Sequence, residues 1–219
     1  MLCLPLSFRR NTTRMCIYLL RHGETALNAA RILQPADTPL NARGEDQAKA
    51  LARRLRDSEG LVGIVSSHLP RALQTATQIG LSCALDVQLC ELLQERNFGD
   101  WRGLSYDAMT FDPLVTLDAP PGGESLREFA QRVAAAFQFI VAFRSSVGGP
   151  VAVVTHGMVI RQMLTAHVDG AGGPVMPSHF GNTSVTCITA GSPHRVTLMN
   201  CTRHLSGDNA DNVRSLSGG

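Results

Sequence analysis

Three short polar signatures carry the residue types that phosphate chemistry needs. They are Arg21-His22-Gly23-Glu24-Thr25, Ser66-Ser67-His68-Leu69-Pro70-Arg71 and Thr155-His156-Gly157. A neutral imidazole can attack phosphorus and form a phosphohistidine. Arginine presents a rigid fork of N–H donors that matches phosphate oxygens. Arg21 and Arg71, with the second histidine His156, can therefore neutralise the equatorial oxygens of a loose transition state. Gly23 and Gly157 follow the two histidines directly, where they would let backbone N–H groups approach an anion closely. The scheme still needs a proton donor for the leaving alkoxide, which would then act as a base toward water. The loop-rich stretch after residue 90 offers two candidates, Glu91 and Glu95.

Each signature follows a short apolar run: residues 15–20, 61–66 and 151–154. Such runs are expected of strands buried on both faces. Helical patterns lie between them. Residues 42–57 have Asn41 as a cap and a stripe of Ala48, Leu51, Ala52 and Leu55. Residues 70–79 open on Pro70, which the first helical turn tolerates. Residues 124–144 carry Leu126, Phe129, Val133, Phe137 and Ile140 on one face, and a further helix runs from 158 to 167. Two β-rich runs, 184–190 and 195–200, close the pattern around a turn at Gly191-Ser192-Pro193. Residues 96–123 lack periodicity and are rich in Gly and Pro, which reads as a lid with one short helix at most. The expected fold is α/β: a three-layer sandwich with a mostly parallel central sheet flanked by helices, plus a loop-rich lid insertion. Ligands of such sheets bind beyond the carboxyl ends of the strands. If the three strands are neighbours, the three signatures meet there.

The 219 residues suit one α/β domain or two small ones, and the formal net charge of +2 implies no nucleic-acid partner. No apolar run is long enough to span a bilayer, so no membrane partner is expected. Lys49 is the only lysine and lies in a helical stripe, which excludes a P-loop. No H-E-x-x-H or C-x-x-C occurs, so no zinc site is expected. The six scattered cysteines read as reduced small hydrophobes of a cytoplasmic protein. His167, His179, His194 and His204 show no partner spacing and read as core or surface histidines. Trp101 is either a packing anchor for the lid or a wall against an apolar leaving group. Residues 1–14 are expected to be a disordered leader or the product of an upstream start. Residues 15–205 form the catalytic domain, and residues 206–219 are expected to be a disordered tail.

Arg21-His22-Gly23-Glu24-Thr25 with Asn28 resembles the signature of the histidine phosphatase superfamily, which includes cofactor-dependent phosphoglycerate mutases. The resemblance continues motif by motif from residue 15 to residue 205. Arg71-Ala72-Leu73-Gln74-Thr75-Ala76 matches the second arginine and its helix. Glu95-Arg96-Asn97-Phe98-Gly99 matches the segment bearing the acid, and Thr155-His156-Gly157 the second histidine. Asn182-Thr183-Ser184 resembles a closing pocket segment. The resemblance implies a phosphohistidine at His22, with Glu95 rather than Glu91 as acid and base. It implies a pocket of Arg21, Arg71 and His156, helped by Thr25, Asn28 and the Gly157 amide, with no metal or organic cofactor. His68 stands where the family often has an acidic residue.

The expected activity is hydrolysis of small-molecule phosphomonoesters by a monomer or homodimer. A mutase must clamp a substrate carboxylate, and the resemblance implies a longer, more basic excursion for that task. Here Arg102 is the only base between Asp100 and Glu124, against five acids counting both ends. Mutase-type phosphoryl transfer and a non-catalytic phosphate-binding protein are the alternatives. Phosphoglycerates, sugar phosphates, nucleotides and α-ribazole phosphate are the candidate substrates.

Overall fold

A computed structural model describes residues 16–170, 173–210, 212 and 214–216. Six strands form one sheet: β1 (Cys16–Arg21), β2 (Gly63–Ser66), β3 (Val87–Leu89), β4 (Val151–Thr155), β5 (Val185–Thr189) and β6 (Val196–Cys201). Their order is β3-β2-β4-β1-β5-β6. The first four are parallel, and β5 and β6 add antiparallel to the β1 side. This is the expected α/β sandwich. β1, β2 and β4 are buried along their whole length, which is why they read as continuous apolar runs.

Side chains alternate between two cores. Ile17, Leu19, Val65, Val151 and Val153 pack against helices α4 (Leu126–Val147) and α5 (Gly157–His167). Tyr18, Leu20, Ile64, Ala152 and Val154 face α2 (Ala42–Ser58) and α3 (Pro70–Cys83). Asn41 caps α2 by accepting the Gly44 N–H at 2.7 Å. Ser125 and Glu128 form a capping box, so α4 begins two residues after the apolar pattern suggests. Two elements escape periodicity because they are so short: the edge strand β3 and a one-turn helix, α1 (Ala26–Ala29).

The lid contains two 3₁₀ turns, Gly99–Trp101 and Tyr106–Ala108. Arg96 organises it. Its buried guanidinium donates to the carbonyls of Pro113, Thr116, Asp118 and Glu124 at 2.8–3.1 Å. Gly99 has φ +48° and passes so close to Pro121 that a Cβ would lie 2.0 Å from its carbonyl oxygen. Trp101 packs against the larger core and against Phe111 at 4.9 Å between centroids, as the lid's anchor.

The C-terminal segment corrects the expectation of a structureless tail. Its described residues fold back over the carboxyl ends of the strands. Ser215 and Leu216 are buried, and the Leu216 N–H donates to the Asn28 carbonyl at 2.9 Å. Arg31 and Arg43 donate to the carbonyls of Arg214 and Ala210. Among the described residues its buried apolar anchor is Leu216, helped by main-chain groups and by Ser215 Oγ. The leader lies outside the described residues. Among the described residues no helix is long and apolar enough to cross a membrane.

After β1 the chain crosses the start of α2 at very short range. A Cβ on Gly44 would sit 2.0 Å from the Glu24 carbonyl oxygen, and one on Gly23 would sit 2.5 Å from that of Gly44. Neither backbone can yield without moving the His22 loop. Gly44→Ala is expected to lower stability by about 2–4 kcal/mol. Gly191→Ala, where a Cβ meets nothing within 4 Å, should change it by less than about 0.5 kcal/mol. Chemical denaturation midpoints read both.

Candidate active site

β2, β4 and β1 are neighbours in register, with Ser66 beside Val154 and Arg21 beside Thr155. The three signatures therefore converge at one edge of the sheet. Arg21, His22, Ser67, Arg71, Glu95 and His156 are all buried, with His156 at 0% and His22 at 1% exposure. The two imidazole centroids lie 5.2 Å apart. Glu91 is exposed on a 3₁₀ turn, so the carboxyl group inside the cluster is that of Glu95.

His22 is fixed on every side. Its amide donates to the Thr155 carbonyl at 3.0 Å, and its own carbonyl accepts from the Thr183 amide and Asn182 Nδ2 at 3.2 Å each. The ring Nδ1 lies 2.7 Å from the Gly23 carbonyl, which can only accept. Nδ1 must therefore carry the proton, and Nε2 keeps its lone pair. Burial, then Arg21 and Arg71, push the His22 pKa well below the ordinary histidine value, so the ring is neutral.

His156 caps α5, and its Nε2 lies 2.9 Å from Ser67 Oγ. Ser67 Oγ also accepts the Leu69 N–H at 3.3 Å. His156 Nδ1 is buried with no hydrogen-bond partner among the described residues. Burial, and next Arg71, hold its pKa well below the usual value as well.

Glu95 accepts the Arg96 and Met158 amides at 3.0 and 3.2 Å. Burial raises its pKa; those two N–H groups, Arg71 and Arg132 oppose the rise. Arg71 donates to the carbonyls of Pro35 and Ala36 at 3.3 and 3.5 Å, and its Nε is buried without a partner among the described residues. Burial pulls its pKa down to about 10, which leaves it charged at neutral pH.

Several expected roles shift. Arg21 places Nη1 on the Phe180 carbonyl and Nη2 on the Leu216 carbonyl, both at 2.5 Å. Its charge lies in the cluster while its fork ties the C-terminal segment to β1. The Gly23 amide donates to Thr75 Oγ1 at 3.0 Å rather than facing an anion, so this glycine serves the crossing with Gly44. Thr25 and Asn28 form a capping box on α1, and Asn28 Nδ2 continues to Asn182 Oδ1 at 3.1 Å. They brace the His22 loop through these bonds. Gly157 opens α5 beside His156.

Three contributors had no role in the sequence reading. Ser67 stood in a quoted signature without a task. Arg132 of α4 holds Glu124 through two 2.8 Å contacts and donates to the carbonyls of Leu92, Gln94 and Glu95, so it sets the Glu95 loop. His204 Nε2 lies 3.0 Å from Thr183 Oγ1, and its Nδ1 lies 3.2 Å from Arg54 Nη1. It steadies a residue held at φ +54°. A 21-residue and a 150-residue separation leave no local spacing by which to find it.

A model of the histidine phosphatase superfamily (branch 1) matches residues 17–202. The chain belongs to this superfamily. It is 38% identical over 159 residues to phosphoglycerate mutase-like protein 4 of Arabidopsis thaliana, covering 67% of this chain and 68% of that one. It is 36% identical over 154 residues to probable phosphoglycerate mutase GpmB of Salmonella paratyphi B, covering 66% and 70% respectively. Its fold matches mycobacterial glucosyl-3-phosphoglycerate phosphatase with a TM-score of 0.71 and 31% identity, over 85% of this chain and 99% of the other. Superfamily relatives named as mutases and as phosphatases both stand among these matches.

Ser67→Ala removes the hydroxyl that meets His156 Nε2 at 2.9 Å without opening a large cavity. Inorganic phosphate is expected to bind about tenfold more weakly to this variant, read by calorimetry, with the denaturation midpoint close to that of the parent.

Proposed function

We propose that this protein hydrolyses small-molecule phosphomonoesters through a phosphohistidine on His22, without a metal. The observation that carries the reading is the 2.7 Å Nδ1 contact to the Gly23 carbonyl. It puts a proton on Nδ1, and burial with Arg21 and Arg71 favours the neutral ring, whose lone pair is then on Nε2. His22 Nε2 attacks phosphorus in line, and the P–O bond to the alkoxide breaks. Glu95 gives its proton to that alkoxide. In the second step Glu95 takes a proton from water, hydroxide attacks the phosphohistidine, and the P–N bond breaks to return neutral His22 and inorganic phosphate. Arg71, Arg21 and His156 stabilise the equatorial oxygens throughout.

The stretch from Asp100 to Glu124 supports hydrolysis over transfer, since its single base is Arg102. A structural relative named as a phosphatase has been solved with VO3 and with inorganic phosphate, which fits a pocket of this kind. The names of the Arabidopsis and Salmonella relatives favour the second reading, mutase-type transfer. A panel of phosphomonoesters assayed for released phosphate with a chelator present, beside 3- to 2-phosphoglycerate conversion, separates the two. His22→Ala should lower phosphate release at least about 10³-fold. Full activity in that variant would sink the mechanism, and isomerisation without release would replace hydrolysis by transfer.

The pH dependence has a defined sign. His22 must be neutral, and its lowered pKa puts that limb on the acid side. Glu95 must be protonated for the first step. Its raised pKa keeps a protonated fraction above the usual carboxylate range, and that fraction is lost as pH rises. The kcat/KM for alkyl phosphates is therefore expected to fall on the alkaline side. Glu95→Gln should remove that limb and lower kcat for alkyl esters by about 10²–10⁴-fold. The loss should be much smaller in the first step for para-nitrophenyl phosphate, whose leaving group needs no proton; burst kinetics show this.

A further inference from the structure

The peptide between His22 and Gly23 is clamped at both ends. Its carbonyl accepts from the Thr183 amide and Asn182 Nδ2, and its N–H donates to Thr75 Oγ1. That peptide leads directly into the Gly23 carbonyl on which His22 Nδ1 rests. The ring is therefore aimed by a clamp, and Thr183 is one jaw of it.

Threonine is an awkward residue for that place. Among the described residues four other than glycine have positive φ, and Thr183, at +54°, is the only β-branched one. A branched Cβ crowds the main chain in this region, which glycine enters freely and asparagine tolerates. The Thr183 hydroxyl supplies the compensation, since Oγ1 lies 3.0 Å from His204 Nε2. His204 Nδ1 lies 3.2 Å from Arg54 Nη1, and a guanidinium only donates, so Nδ1 accepts. Burial, then Arg54 and Arg203, pull the His204 pKa down to about 4. The ring is then neutral at pH 7, with its one proton on Nε2 and directed at Thr183 Oγ1. Arg54 is anchored in turn on the Cys201 carbonyl at 3.1 Å. A chain of bonds thus runs from α2 and the end of β6 through His204 and Thr183 to the His22 carbonyl. The stretch just before Thr183 has its own support. Asn200 accepts the Gly181 amide and donates to the His179 carbonyl at 2.8 Å each, so the chain path there does not depend on His204.

We propose that His204 is a positioning residue for the nucleophile. Its Nε2–H holds Thr183 in the left-handed conformation that keeps the Thr183 amide on the His22 carbonyl. This rests on the reading of His22 as the nucleophile of a phosphomonoester site, and adds to it a residue that touches neither substrate nor phosphate.

A double-mutant cycle tests it. Glycine adopts φ +54° without strain, so Thr183→Gly removes the need for His204. In the otherwise unaltered protein His204→Ala is expected to slow single-turnover release of para-nitrophenolate from its phosphate ester by about 10–100-fold. Calorimetric affinity for inorganic phosphate should change little, because the arginines of the cluster stay in place. In the Thr183→Gly background the same substitution should slow release by less than about threefold. His204→Gln, whose amide can donate in place of Nε2–H, should recover part of the loss. An equal effect of His204→Ala in both backgrounds would overturn the assignment, since a residue that only supports the fold does the same work in each. So would a loss of phosphate affinity as large as the loss of rate, or failure of both His204 variants to fold. Nitrogen NMR of histidine-labelled protein reads the His22 ring without turnover, its signals assigned by their absence in His22→Ala. The parent is expected to show one neutral tautomer protonated on Nδ1, His204→Ala a mixture, and the double variant one tautomer again. If no phosphomonoester is turned over while the ring responds in this way, the hydrolytic reading falls and the positioning role stands. If phosphate is released and both ring and rate ignore His204, the reverse holds.

Discussion

Two guanidinium groups and two imidazoles share a volume from which solvent is almost excluded, with one carboxyl group inside it. That surplus of buried positive charge governs the rest of the site. It keeps both rings neutral, because a further charge there meets desolvation and like-charged neighbours together. It opposes, without cancelling, the burial that favours the protonated form of Glu95. Above all, it must be held without being cancelled. The arginines are accordingly bonded to main-chain carbonyls: Phe180 and Leu216 for Arg21, Pro35 and Ala36 for Arg71. Carbonyl dipoles satisfy the N–H donors while the full charge stays directed at an incoming anion.

The same device sets the surroundings. Arg96 gathers the lid on four carbonyls, and Arg132 gathers the Glu95 loop on three while ion-paired to Glu124. Both residues are distant in sequence from much of what they hold, and both use the planar fork to bridge several chain segments at once. The loop-rich composition of residues 96–123 therefore does not make a loose lid. It leaves many carbonyls outside regular structure, and two arginines collect them.

The fold was legible because its buried strands are short, apolar and continuous, and each is followed by its own polar signature. Adjacency of β2, β4 and β1 was the one condition that the sequence left open, and the sheet order meets it. The convergence of His22, Arg71, Glu95 and His156 followed from that. Other features were hidden for physical reasons. Thr25 and Asn28 look like polar pocket residues in a linear reading, yet each has a nearer backbone partner in the capping box of α1. Gly23 looks like an anion contact, yet its constraint comes from Gly44, twenty-one residues on. Leu216 lies in a polar tail whose order depends on main-chain bonds, which leave no trace in composition. His204 acts through tertiary contacts alone.

The bracing of His22 has a consequence for how the molecule is made. The loop that presents this histidine is held by Asn182 Nδ2, a partner 160 residues downstream, and by the amide of Thr183. Local geometry after β1 cannot supply those bonds. A nascent chain exposes the histidine early in synthesis, long before β5 and the segment ahead of it exist to fix it. Contacts of such long range form late, after the loop-closure entropy has been overcome. The placing of His22 is thereby tied to near-complete folding, so that an immature chain carries the imidazole without the scaffold that fixes it.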